Sequence, residues 1–144
     1  MIHEEICTYE VCKLAKEKGF DVPTDRYYHI YDDVIEAQNS LEMIGDGCAD
    51  FYNSLNRCRC AAPTQSLLQR WLREEKGIVV EIIAYPTCSN NKKNCYWWSI
   101  KQNSDGICYQ YEECSDTLYG FSFAFDTYEL ALEDALKYAL ENLV

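Results

Sequence analysis

The clearest hydrophobic rhythm in this chain is helical and spans residues 62–77. Leu67, Leu68, Trp71 and Leu72 recur at helical spacing, while Gln65, Gln69, Arg70, Arg73 and Lys76 fill the opposite side. Pro63 stands at the helix entry, where no backbone donor is needed. Thr64 is the expected N-cap, and Gly77 supplies the left-handed residue that ends many helices. Arg70, Arg73 and Lys76 read as a solvated face. Directly after Gly77, the β-branched run Ile78–Tyr85 has strand length and predicts a largely buried strand.

Other stretches fall into place around this unit. A first helix is expected from about Thr8, with Val11, Leu14 and Ala15 inward and Lys16, Glu17 and Lys18 in water. Gly19 should end it, and Phe20 should fold back on its last turn. Residues 26–31 are aromatic and branched, which predicts a strand. Between 32 and 60 the pattern is weaker. Val34, Ala37, Gln38, Leu41 and Ile44 fit one helical face, Gly45-Asp46-Gly47 marks a turn, and residues 50–55 fit a short helix followed by an extended lead-in at 56–60.

Residues 95–101 alternate, with Tyr96, Trp98 and Ile100 on one face and Cys95, Trp97, Ser99 and Lys101 on the other. Asp105-Gly106 is a favoured hairpin pair, and Ile107, Tyr109 and Tyr111 alternate after it. A further short strand is expected at 118–123. The final helix should be capped at Asp126, with Glu129 completing a capping box. Tyr128, Ala131, Leu132, Ala135, Leu136, Ala139 and Leu143 form its buried stripe, and Glu129, Glu133, Asp134, Lys137 and Glu141 face water. Consecutive strands on short turns pair antiparallel. The expected fold is α+β: one two-layer domain over 1–144, an antiparallel sheet of three to five strands and helices mainly on one face.

Composition narrows the function. The 144 residues carry a formal net charge of −11, with 12 Tyr, 5 Phe and 3 Trp. Residues 1–62 hold 12 acids and 6 bases, residues 63–102 hold 3 and 6, and residues 103–144 hold 9 and 1. An overall attraction to nucleic acid or anionic lipid is therefore disfavoured. No apolar run reaches membrane-spanning length, and the acidic start has no leader-like apolar segment. A cytoplasmic location is expected, with the nine cysteines as free thiols.

Candidate chemistry is sparse. Cys58-Arg59-Cys60 lacks the spacing of a thiolate metal pair. The residues around Asp46, Gly47 and Asp50 lack calcium-loop spacing. No nucleophile motif, P-loop or dinucleotide fingerprint occurs. The expectation is no catalytic residue, no metal and no cofactor. Lys92, Lys93, Tyr96 and Trp97 mix bases with aromatics and form the candidate nucleic-acid surface of an alternative reading, an αβββα-type RNA- or DNA-binding module; an enzyme is a further alternative.

Three stretches carry a resemblance: residues 8–21, residues 62–74 and residues 125–144, about a third of the chain. Together they resemble a family of small proteins of uncharacterised function from phages and mobile elements of gut anaerobic bacteria. The resemblance implies a cytoplasmic accessory protein and brings no catalytic or ligand residues with it. The leading expectation is a protein-binding module, such as an inhibitor of a host protein, that meets a basic partner surface. Trp97, Lys101 and Tyr85 are its candidate contact residues, with Trp97 as anchor because tyrosine and tryptophan bury large area with few rotors. A homodimer is a second expected assembly.

Overall fold

The sequence places a short amphipathic helix before an aromatic strand and a long one after an antiparallel meander, and both arrangements are formed. The computed structural model describes residues 3–32, 34–38, 40–45, 50–85, 95–104, 107–114 and 125–144; the side chains of 34, 38, 85, 95, 103, 104 and 107–114 are left undescribed. Its elements are α1 (Tyr9–Glu17), β1 (Arg26–His29), α2 (Val34–Gln38), β2 (Leu41–Met43), a 3-10 turn (Asn53–Leu55), β3 (Arg59–Ala61), α3 (Gln65–Lys76), β4 (Ile78–Tyr85), β5 (Cys95–Ser104), β6 (Ile107–Cys114) and α4 (Tyr128–Asn142). The fold is α+β with antiparallel pairing, as expected, but where one sheet was expected there are two. The strands form two three-stranded sheets, ordered β2-β1-β3 and β4-β5-β6. The chain divides into two compact units, Met1–Trp71 and Leu72–Val144, and the division falls within α3.

In the N-terminal unit α1 ends as its sequence predicts. Gly19 adopts φ 88°, its amide bonds Lys16 O at 3.1 Å, and the Phe20 amide reaches Ala15 O at 2.9 Å. These are the two bonds of a Schellman closure. The turn buries Phe20, whose ring meets Trp71 edge-to-face at 5.4 Å. Trp71, Leu68 and Leu72 are buried, while Leu67 is only partly so. Gln65, expected on the wet side, is buried at the helix start, where its amide bonds Glu5 O at 2.9 Å. Thr64 caps as predicted, its Oγ1 accepting from the Leu67 amide at 3.2 Å.

The weakly patterned segment supplies the rest of this unit. The expected helical face running to Ile44 is broken: α2 stops at Gln38, and Leu41 begins β2, which pairs antiparallel with β1. Asp46 and Gly47 lie outside the described residues. The 3-10 turn buries Asn53, whose amide donates to Phe20 O at 2.7 Å and whose carbonyl accepts from the Ala61 amide at 2.8 Å. Lys16, expected in water, donates instead to the carbonyls of Asn56 and, at 2.6 Å, Arg59. On the α1 side of the sheet Tyr28 packs on Tyr9 and donates to Cys7 O at 3.1 Å.

In the C-terminal unit β5 is central, pairing Ile78–Tyr85 on one side and β6 on the other, with Ser104 opposite Ile107. Residues 105–106 and the strand expected at 118–123 lie outside the described residues. The cap of α4 is Thr127 rather than Asp126: its hydroxyl accepts from the Leu130 amide at 3.1 Å. Its buried stripe is Ala131, Leu132, Ala135, Leu136, Ala139 and Leu140, so Leu140 takes the place given to Leu143, and Tyr128 is exposed.

Four described cysteines, Cys7, Cys12, Cys58 and Cys60, are free thiols. Burial pushes the Cys60 thiol from 9.0 up to about 11, against the pull of the Lys16 ammonium. The unfolded thiol loses its proton first as pH rises. The contribution of Cys60 to stability is therefore complete below about pH 9 and lost by about pH 11.

Three outcomes are expected. Trp71→Ala should cost about 3–5 kcal/mol in urea melts, because it empties a packed site against Phe20; a loss below about 1 kcal/mol would remove α3 from its organising position. Iodoacetamide at mild pH should label the exposed Cys58 before Cys7, Cys12 and Cys60, and Cys60→Ala should flatten the alkaline fall in stability between about pH 9 and 11. Equal labelling of Cys58 and Cys60 in the folded protein would contradict this burial.

Candidate protein-binding face

Strand alternation fixes which side chains of the C-terminal sheet face α4. Trp98 and Ile100 are fully buried. The Trp98 ring lies 5.1 Å from Tyr138, and its indole nitrogen donates to Asp134 Oδ2 at 2.7 Å. Asp134, expected in water, is thus the acceptor that satisfies a buried tryptophan. Tyr96 meets Tyr128 edge-to-face at 6.3 Å, and its strand bridges to Phe125 through bonds of 3.0 and 2.9 Å. Ile78 and Val80 of β4 join this buried layer.

The opposite face carries the anchor residues. Trp97 stands directly across from Ile83, Ser99 from Glu81, and Lys101 from Val79. Ile83 is 38% exposed and Trp97 is half-buried. Lys101 Nζ lies 2.8 Å from Glu81 Oε2, an exposed pair whose stabilising effect is small. Ser99, on this same face, is 4% exposed, with no hydrogen-bond partner for its hydroxyl among the described residues. A small side chain on a central strand, between Trp97 and Lys101 on the same face, is shielded by its larger neighbours. What remains is an exposed Ile83 beside a half-buried Trp97 whose indole nitrogen is itself buried, bordered by one cation and one anion.

The other predicted residues are placed apart. Tyr85 closes β4 opposite Cys95, and its side chain is among those left undescribed. Lys92 and Lys93 lie outside the described residues. Tyr96 and Trp97 point to opposite faces of β5, so they do not share one stacking surface.

A second cluster was missed from sequence. On the face of the N-terminal sheet away from α1, Tyr27 donates to Glu42 Oε2 at 2.7 Å and His29 Nε2 lies 3.2 Å from Glu42 Oε1. The Arg59 guanidinium sits 4.8 Å from the Tyr27 ring centroid, and Phe51 stacks on that ring at 5.2 Å. The Tyr27 hydrogen bond, with help from His29 and Arg59, holds the Glu42 carboxyl below its ordinary value. Alternation along 26–31 would have grouped Tyr27 with His29, but nothing local points to Glu42. Among the described residues no three His, Cys, Asp or Glu side chains are placed to share a metal ion.

Because Asp134 satisfies the indole that orients β5, Asp134→Ala should destabilise the protein by about 1–3 kcal/mol, read by thermal melts with tryptophan fluorescence. Asp134→Asn, which keeps an acceptor, should recover most of that loss. An unchanged melt for the alanine variant would show that the bond does not set the strand.

Comparison with protein-family models, with curated proteins and with solved structures returned no match in any of the three.

Proposed function

We propose that this chain is a small acidic, cytoplasmic protein-binding module that catalyses nothing, of the kind a phage or mobile element could direct against a host protein. The observation that carries the reading is the cross-strand pair of Ile83 and Trp97 on the face turned away from α4, with Ile83 exposed. Hot spots of protein interfaces are rigid aromatic groups surrounded by residues of lesser effect, and Glu81 and Lys101 border the pair on one side here. The net charge of −11 favours a basic partner surface by raising its encounter rate. No helix among the described residues is long and apolar enough to cross a membrane, which accords with a partner met in solution.

The test is site-specific photo-crosslinking in cells from a benzophenone placed at position 83, with the same group at Glu141 as control. A discrete polypeptide adduct specific to position 83 is expected. With the recovered partner, Trp97→Ala should weaken binding by about 2 kcal/mol, roughly thirty-fold, at little cost in stability. Added salt should weaken it further. Adducts equal to those from Glu141, or adducts to nucleic acid alone, would overturn the reading.

A further inference from the structure

We propose that the outer edge of β2 receives an extended, basic segment of a partner protein as an added strand. This edge lies in the N-terminal unit and owes nothing to the Trp97 face.

The backbone register makes the edge available. β1 and β2 pair with Tyr27 opposite Glu42, and the Ile44 amide bonds Asp25 O at 2.8 Å. Hydrogen-bonded pairs alternate along an antiparallel ladder, so Glu42 directs its N–H and C=O toward β1 while Leu41 and Met43 direct theirs outward. The other side of β1 is taken by β3, through Ala62 N to Arg26 O at 2.9 Å and Ile30 N to Cys58 O at 2.8 Å. Among the described residues no strand lies beyond β2. Two donors and two acceptors therefore face outward across three residues.

The side chains on this edge invite pairing. Leu41 is 38% exposed and Met43 63%. Natural edges are usually blunted by shortness, charge, proline, a bulge or a cover; β2 is short and carries one charge, Glu42, but has no lysine or proline. Two side chains hold the Glu42 carboxylate in place, Tyr27 at 2.7 Å and His29 at 3.2 Å, so a fixed anion marks the middle of the edge.

Register also selects the occupant. A strand bonded to Leu41 and Met43 places one residue directly opposite Glu42 in a non-hydrogen-bonded pair, where Cα atoms approach to about 4.5 Å. A second copy pairing about a two-fold axis at Glu42 would set two glutamates at that distance, and like charges directly opposite destabilise. Each copy also carries −11. A foreign strand with lysine or arginine opposite Glu42 and apolar residues flanking it meets both the charge and the exposed Leu41 and Met43. Strand addition takes affinity from the main-chain bonds and selectivity from alternate side chains.

The experiment titrates the folded full-length chain with an end-blocked heptapeptide of alternating Val and Lys, against a matched Val–Glu peptide. Amide NMR shifts report the site and fluorescence anisotropy the affinity. The Val–Lys peptide should shift the amides of Leu41 and Met43 and bind at least ten-fold more tightly than Val–Glu. Met43→Pro removes an outward donor without removing a bond to β1, and should weaken binding ten-fold or more. Met43→Lys leaves the backbone intact and should do the same by setting a solvated ammonium against the apolar peptide residue that faces position 43, should the proline variant melt early. Trp97→Ala should leave the peptide affinity within two-fold, which separates this proposal from the function proposed above. The proposal is overturned if Val–Glu binds as well, if both Met43 variants keep full affinity, if the shifts fall elsewhere, or if the Leu41 and Met43 amides shift with protein concentration alone, as pairing of two copies would require.

Discussion

One hydrogen bond, from the Trp98 indole to Asp134, decides which side of the C-terminal sheet becomes core. A buried indole N–H without an acceptor is costly, and Asp134 sits on the face of α4 that can reach it. Once Trp98 is turned toward the helix, the period of two sends Tyr96 and Ile100 with it and Trp97, Ser99 and Lys101 away. The ladder to β4 carries that choice across the sheet: Ile83 must then stand beside Trp97, and Glu81 within reach of Lys101. The open apolar pair is thus a consequence of where one polar atom of the core found its partner.

The N-terminal unit uses a different device. Its elements are short, so hydrophobic area alone constrains them weakly, and polar side chains do the joining. Asn53 satisfies a carbonyl at the end of α1 and an amide at the end of β3. Lys16 reaches two carbonyls on the chain leading into β3 and on its first residue. Buried amides of this kind are expensive unless fully paired and directional when they are, so Asn53 defines the position of the 3-10 turn more sharply than an aliphatic residue would.

These particulars explain what could be read from the sequence. The ends of α1 and α3 were legible because Gly19 and Gly77 must do something only glycine does readily, and both have positive φ. The meander of β4, β5 and β6 was legible because its alternation is long. Residues 34–44 were only partly so, because Val34, Ala37, Leu41 and Ile44 keep helical spacing throughout, while pairing with β1, which no local signal marks, makes 41–43 a strand. Asp126 and Thr127 are both good caps, and only backbone geometry chooses between them. Lys16 and Asp134 were assigned to water, and Asn53 was given no partner, because a polar residue carries no local mark of a distant partner. The same blindness hid Glu42, whose partners arrive from β1; of the candidate site, Trp97 and Lys101 were legible by alternation, while Ile83 required the register.

Charge and edge exposure together suggest why such a chain tolerates an exposed edge strand. An exposed edge with Leu41 and Met43 would ordinarily promote association between copies. Here each copy carries −11, and the self-pairing centred on Glu42 brings that residue against its own image. Lysine guards are the usual means of keeping an edge from other chains, but a lysine would also repel a basic partner. A carboxylate clamped by Tyr27 and His29 excludes the second copy and admits the oppositely charged strand, so discrimination comes from one residue whose position the sheet itself holds.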